Sequence, residues 1–234
     1  MKTITIRLTS PLQSYGNEAS FAQRTSYNFP SKSAVIGMIA AALGYHRQDN
    51  RISTLAALSF ACRLDQPGKM LTDFQTVEWK KGKRKITYRN YLQDASFIVA
   101  IGGQNRTIDE IKLALRKPHF QLYLGRRANI PAGVLKISEF QDKNPVTVLQ
   151  ELPWQAAKWY QRKCKHQLVN VKVIGDVALL STETNQVNLT KDEVVTFNQM
   201  NRNHVFRAVG SIWVELKNMY FEGKESEHDI IAFL

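Results

Sequence analysis

Cysteine is nearly missing from this chain: among 234 residues only Cys62 and Cys164 occur, far apart and outside any CxxC spacing. A disulfide framework or a zinc site is therefore without support, and a reducing cytoplasm is the default compartment. Long apolar runs are missing too. The longest, Ala34 to Leu43, is about half of the roughly 20 residues that a spanning helix needs. Met1-Lys2-Thr3-Ile4 leads straight into an alternating segment, with no signal-peptide core and no indication of a membrane. Acidic residues are scarce as well, 20 against 32 Lys and Arg, for a formal charge of +12. Such an excess attracts polyanions, RNA and DNA first among them; the plainer alternative is a basic protein with no polyanionic partner. With 44% hydrophobic residues the chain can nevertheless bury a proper core.

Catalytic motifs are equally sparse. The five histidines (His46, His119, His166, His204, His228) are scattered and form no HExxH or other ligand-spaced pair, so no metal or cofactor is implied. No GxSxG elbow is present. Lys32-Ser33 lacks the preceding glycines of a phosphate-binding P-loop. Cys164 lies among Arg162, Lys163 and Lys165, but no partner base is indicated and the thiol reads as incidental. A metal-independent ribonuclease stays open, since it needs only a His, a Tyr and a Lys gathered by the fold; His46, His119 and His204 are the candidates.

What is present is a pattern of elements. Thr3 to Leu8 alternates as a half-buried strand, with Ile4, Ile6 and Leu8 on one face. Ser31-Lys32-Ser33 starts the apolar run 34–43, and Gly44 stops it, which frames a buried helix. Strands are expected at Leu58 to Leu64, Ala95 to Ile101 and Phe120 to Leu124. Thr107 and Glu110 have capping-box spacing at the start of a second helix ending before Pro118. The order β-α-β-β-α-β predicts an α+β, ferredoxin-like domain over residues 1–138. It is interrupted at about 71–93 by an alternating hairpin whose tip, Lys80-Lys81-Gly82-Lys83-Arg84-Lys85, holds five cations in six residues. Residues 139–234 read as a smaller β-rich domain or extension, with Trp154 and Trp159 followed by strand-like runs at 168–173, 177–180, 194–197 and 205–209.

Two local arrangements suit polyanion binding. Ser31, Lys32 and Ser33 stand at a helix start, where free amides favour phosphate, although a serine there can be simply an N-cap. Gly125-Arg126-Arg127 follows the last predicted strand, and paired arginines can fork onto phosphate, stack on bases or meet an acidic loop.

Five segments, in order, closely resemble the CasD family, the fifth CRISPR-associated family of the RAMP superfamily, as found in type I-E Cascade. They are the stretch Leu8-Thr9-Ser10-Pro11-Leu12-Gln13-Ser14-Tyr15-Gly16, the stretch Phe29 to Gly44, Thr87 to Phe97, Val99-Ala100-Ile101, and Leu122-Tyr123-Leu124-Gly125-Arg126-Arg127. The resemblance implies a RAMP ferredoxin-like fold with a hairpin thumb. It implies a non-catalytic subunit that grips the 5′ handle of the CRISPR RNA (crRNA) and caps the backbone filament. Its partners would be the backbone and large subunits, with target DNA only indirectly. By motif, Gln13, Ser14, Tyr15, Gly16, Arg24, Ser31, Lys32, Ser33, Arg126 and Arg127 would bind RNA. Lys80, Lys81, Lys83, Arg84, Lys85 and Arg89 would be the thumb contacts. Tyr15 stands where tryptophan is expected, which would keep a stacking face. In related type I-C systems the family member is itself the processing nuclease, so the ribonuclease alternative stands beside the scaffold.

Overall fold

Alternating and doubly apolar segments decide where the sheet forms. In a computed structural model, residues 1–17, 20, 22–180 and 187–221 are described. β1 (Lys2–Thr9) is followed by two short strands, β2 (Leu12–Gln13) and β3 (Gln23–Arg24), then by helices α1 (Lys32–Ala42) and α2 (Arg51–Ala56). Next come β4 (Ser59–Gln66), the hairpin β5 (Lys69–Lys80) and β6 (Lys83–Gln93), β7 (Ser96–Gly103), α3 (Asn105–Arg116) and β8 (Lys136–Phe140). Helices α4 (Pro145–Glu151) and α5 (Lys158–Lys163) precede β9 (Leu168–Asp176), β10 (Val187–Thr196) and β11 (Asn203–Lys217). The result is a mixed α+β fold with one large antiparallel sheet, ordered β10-β11-β9-β4-β7-β1-β8.

β7 is apolar on both sides because both its faces are covered. Phe97, Val99 and Ile101 join Ile4, Ile6 and Leu8 of β1 beneath α1 and α3, while Ile98 and Ala100 meet Val146 and Leu149 of α4. Burying each such aliphatic chain stabilises the fold by about 1.5–3 kcal/mol. α1 begins at the N-cap Ser31, whose side chain accepts from the Ala34 amide. It ends in a Schellman turn: Tyr45 N–H donates to the Ala40 carbonyl and Gly44 N–H to that of Ala41, with Gly44 at φ +78°.

Three local expectations need correction. Phe120 to Leu124 is not a strand; the fourth strand beside β1 is β8. Leu122 and Leu124 are indeed buried, but the backbone entering this stretch turns to the end of α1, where His119 and Phe120 amides donate to the carbonyls of Ala42 and Ala41. The carbonyls that a helix end leaves open are closed in this way. Helix α3 starts at Asn105, ahead of the Thr107–Glu110 spacing, so that pair lies inside the helix and Glu110 pairs with Arg106 instead. The run 177–180 is not a strand either, because Val177–Leu179 forms a 3-10 turn. The C-terminal strands continue the same sheet: β9 pairs with β4 from Ala61↔Gly175 to Leu64↔Lys172.

Arg63 fastens the sheet to α4. It is fully buried, pairs in a fork with Asp65, and donates to the carbonyls of Leu149, Leu152 and Pro153. Asp65 in turn accepts from the Gln155 amide at 2.6 Å. Arg63→Ala leaves Asp65 buried and unpaired and is expected to lower unfolding free energy in urea by about 3–5 kcal/mol, whereas the volume-matched Arg63→Met/Asp65→Leu pair recovers much of it.

Candidate nucleic-acid interface

Between α1 and the loops that cross it lies a groove of about 770 Å³. Its floor is made of small residues of α1, Gly37, Ala40 and Ala41, with Phe197 touching the Gly37 position at 3.5 Å. Its walls carry Arg24, Arg47, Arg126, Arg202 and His46, and among the described residues no Asp or Glu lines it. Four guanidinium groups around one concavity without a counter-charge give a focused positive potential suited to phosphate.

The position of Arg126 is set by a close approach of two chain segments. Gly125 has φ +90°, and a Cβ there would lie 1.6 Å from the Ser14 carbonyl oxygen, so only glycine fits. Ser14 N–H donates to the Leu124 carbonyl across the same crossing. Arg126 then lies 4.5 Å above the Tyr91 ring, and its Nη2 donates to the Arg24 carbonyl at 3.2 Å. Its buried Nη1 has no partner among the described residues, which leaves one donor for an incoming anion.

Of the residues expected to bind RNA, Ser14, Gly16, Arg24, Ser31, Ser33 and Arg126 line this groove. Gln13 and Tyr15 do not. Gln13 is buried, donates to the Ala95 carbonyl at 2.8 Å and accepts from the Tyr15 hydroxyl at 2.6 Å. Tyr15 is 1% exposed and edge-on to Phe97, and burial pushes its phenol pKa up. It therefore offers no stacking face; these two residues support the loop that carries Ser14. Arg127 is exposed and outside the groove lining.

Lys32 also turns away from the groove. Its ammonium is buried 3.9 Å from Asp176, and burial lowers its pKa against the opposing pull of that carboxylate. The backbone amide of Lys32 donates to Asp192 at 2.7 Å, and Asp192 in turn accepts a guanidinium fork from Arg207. Thus an internal carboxylate already occupies the start of α1. Of Ser31, Lys32 and Ser33, expected to meet phosphate at this helix start, Lys32 thus has its amide and ammonium engaged internally, while Ser31 and Ser33 line the groove.

On the hairpin, Lys80, Lys81, Lys83, Arg84 and Lys85 are exposed at the tip, where Gly82 turns the chain at φ +72°. Arg84 is engaged by Glu78 at 3.3 Å, and Lys83 lies 5.8 Å from the exposed Trp79 ring. Arg89 is at the root instead, opposite Asp73 and beside Arg24 of β3. Of the three histidines considered for catalysis, His46 lines the groove, 5.5 Å from the Phe120 ring. His119 packs under Gly44, and His204 stacks edge-on to Phe197, its pKa lowered by burial. His228 lies outside the described residues. Sequence reasoning missed Arg47 and Arg202. Arg47 follows the helix-stopping Gly44 in the aromatic–basic run Tyr45-His46-Arg47, a usable signal; Arg202 has none, since its turn meets α1 only through the tertiary fold.

A family model described as "CRISPR-associated protein (Cas_Cas5)" matches residues 3–210, nearly the whole length. The chain belongs to the Cas5 family of CRISPR-associated proteins. A curated Cas5/CasD-type relative, the CRISPR system Cascade subunit CasD of Escherichia coli (strain K12), is 34% identical over 146 residues. That match covers 53% of this chain and 64% of the relative's own length. A chain of a solved "CRISPR RNA-guided surveillance complex" superposes with a TM-score of 0.74 at 30% identity, over 99% of this chain and 98% of that one. A solved structure titled "Crystal structure of Cas protein" superposes with a TM-score of 0.64 at 26% identity, covering 94% of this chain and 98% of that one.

The carboxylate beneath α1 and the arginines around the groove of this Cas5-family chain separate in a stability experiment. Asp192→Ala leaves the buried Arg207 with Asp176 alone and the Lys32 amide without its acceptor, and is expected to cost about 3 kcal/mol in urea unfolding. Arg202→Ala, on the groove wall, stays within about 0.5 kcal/mol of the native chain.

Proposed function

We propose that this chain is a non-catalytic, crRNA-binding subunit of a type I-E Cascade complex in the cytoplasm, with the groove over α1 gripping the 5′ handle. The observation that carries the reading is the groove itself: four arginines, a floor of small residues and, among the described residues, no lining carboxylate. Phosphates would meet Arg24, Arg47, Arg126 and Arg202, with Ser31 and Ser33 as neutral donors. Unpaired bases could lie on the apolar floor. The strand order β4-β7-β1-β8, with α1 and α3 on one face, supports the ferredoxin-like RAMP assignment. No helix among the described residues is long and apolar enough to cross a membrane.

The exposed hairpin, with Phe74, Trp79, Ile86 and Tyr88 each at least 47% exposed, suits contact with a neighbouring backbone subunit and its RNA. On this reading the chain caps the filament, meets the large subunit elsewhere, and touches target DNA indirectly. The names of its relatives, a Cascade subunit and a chain of an RNA-guided surveillance complex, support the same assembly.

A second reading, a metal-independent ribonuclease acting on repeat RNA, is favoured by His46 lying in the groove with Tyr45 and Tyr123. No lysine lines that groove among the described residues, so the triad is incomplete. Incubation of the chain in EDTA with labelled repeat RNA decides between the two. The scaffold reading expects intact RNA and a salt-sensitive complex at the handle. A single cut that disappears in His46→Ala would replace it with the nuclease.

Two binding predictions follow from the same geometry. Arg47→Ala/Arg202→Ala should weaken handle binding and reduce the log–log salt slope by about 0.7 for each phosphate that is no longer neutralised. Lys80→Ala/Lys81→Ala/Lys83→Ala/Lys85→Ala should do the same for the assembled complex; an unchanged affinity and slope there removes the thumb from the RNA-binding surface.

A further inference from the structure

The face of the sheet opposite the groove holds a second concentration of positive charge. Between Glu151 and Asp176 the sequence contains no carboxylate, yet it contains Lys158, Arg162, Lys163 and Lys165, together with Lys172, which points to the other face of β9 beside Trp213. The first four lie on or directly after α5 and are exposed, as is Trp159 at 55%. None of the four pairs with a carboxylate among the described residues. Tyr220, just beyond β11, lies 5.9 Å from the Lys158 ammonium and 5.7 Å from the Arg162 guanidinium. A cationic face with rings set among the charges is the composition of a stacking platform for single strands.

This face is separated from the groove and held stiffly. Trp154 and Ala156 lead into α5 and pack on Val171, Leu216 and Val214; Val214 also packs with the α4 cluster, on the side of the sheet away from α1. The buried Asn218 side chain donates to the carbonyls of Gln161, Cys164 and His166, closing the end of α5. Gln161, also buried, donates to the carbonyls of Trp154 and Ala156. Trp159 is braced edge-on by Tyr160 at 5.6 Å, and Tyr160 in turn by Trp154 at 6.0 Å. The backbone that carries these cations is thus fixed before a ligand arrives, and only their side chains remain to be ordered.

We propose that the α5 face is a second nucleic-acid site, which binds single-stranded nucleic acid by pairing Arg162, Lys163 and Lys165 with phosphates and by stacking a base on Trp159. It is distinct from the handle groove and does not depend on what the groove binds. Tryptophan and arginine also serve protein interfaces, but a run of cations with no carboxylate between them and with rings set among them fits the repeating phosphate and base of a strand. Stacking does not discriminate between bases, so the ligand is a single strand of arbitrary sequence.

The test uses the full chain and a fluorescein-labelled 20-nucleotide oligo(dT), with Arg47→Ala/Arg202→Ala and Lys80→Ala/Lys81→Ala/Lys83→Ala/Lys85→Ala together as background, so that binding by the groove and by the hairpin tip is suppressed. In that background, Arg162→Glu/Lys163→Glu/Lys165→Glu is expected to weaken binding at least tenfold and to reduce the salt slope by about 2, at about 0.7 for each of the three phosphates. Trp159→Ala is expected to weaken it roughly tenfold, with Trp159→Phe retaining most of the affinity. All four positions are exposed, and an unchanged unfolding midpoint confirms that each variant is folded. Native-like binding by the folded triple variant overturns the site. So does native-like binding by Trp159→Ala, which would leave a surface that recognises charge alone. Failure of handle RNA to bind the native chain would affect only the groove reading, since no handle sequence enters this experiment.

Discussion

The arrangement of the whole chain hangs on a carboxylate buried where a helix begins. Asp192 on β10 accepts the Lys32 amide at the start of α1 and the forked guanidinium of Arg207 on β11; Arg207 also reaches Asp176 on β9, which faces the Lys32 ammonium. Two cations and two anions thereby balance in a place where any one of them alone would be costly. Because the partners come from opposite ends of the sequence, the C-terminal strands hold the helix that forms the groove floor. Removing the cluster would disturb the groove without touching any residue that lines it. It is also the reason the Lys32 side chain turns inward instead of into the groove.

The elements with strong local patterning were legible in the sequence. The alternation of Ile4, Ile6 and Leu8 announces β1, the serine start and glycine stop frame α1, and the paired alternation around a Lys-Gly tip announces the β5–β6 hairpin. β8 was missed because Lys136-Ile137-Ser138-Glu139-Phe140 is a partly exposed edge strand with little apolar rhythm. Phe120 to Leu124 has that rhythm without being a strand. Alternation reports which side chains are buried, and says nothing about where the backbone hydrogen bonds go.

The site was legible to the extent that it is built from neighbours in sequence. Ser31, Ser33 and Arg126 stand beside glycines and helix ends that sequence can mark. Gln13 and Tyr15 belong to the same recognisable stretch, but their side chains point inward and hold the loop, a distinction that only packing reveals. Arg202 arrives from a turn between β10 and β11, and nothing near it in the chain says that α1 lies beneath it. Charge of one sign was evident in the composition; its division between a groove and an opposite face was not.

The hairpin has a mechanical consequence. β5 leaves β4 through Pro67-Gly68 and β6 enters β7 at Asp94, and β4 and β7 are ladder partners in the middle of the sheet. Gly68, at φ +75°, is pressed against the Gln93 carbonyl and the Ala95 backbone, which closes the root tightly. At about 3.3 Å per residue, the twelve residues of β5 form an arm about 40 Å long. An arm clamped at both feet in adjoining central strands has no hinge; a push at its tip is taken up as twist along the ribbon and as shear between β4 and β7. The hairpin is therefore a spring whose compliance lies along the ribbon, and whatever load the ribbon does not absorb passes directly into the two central strands.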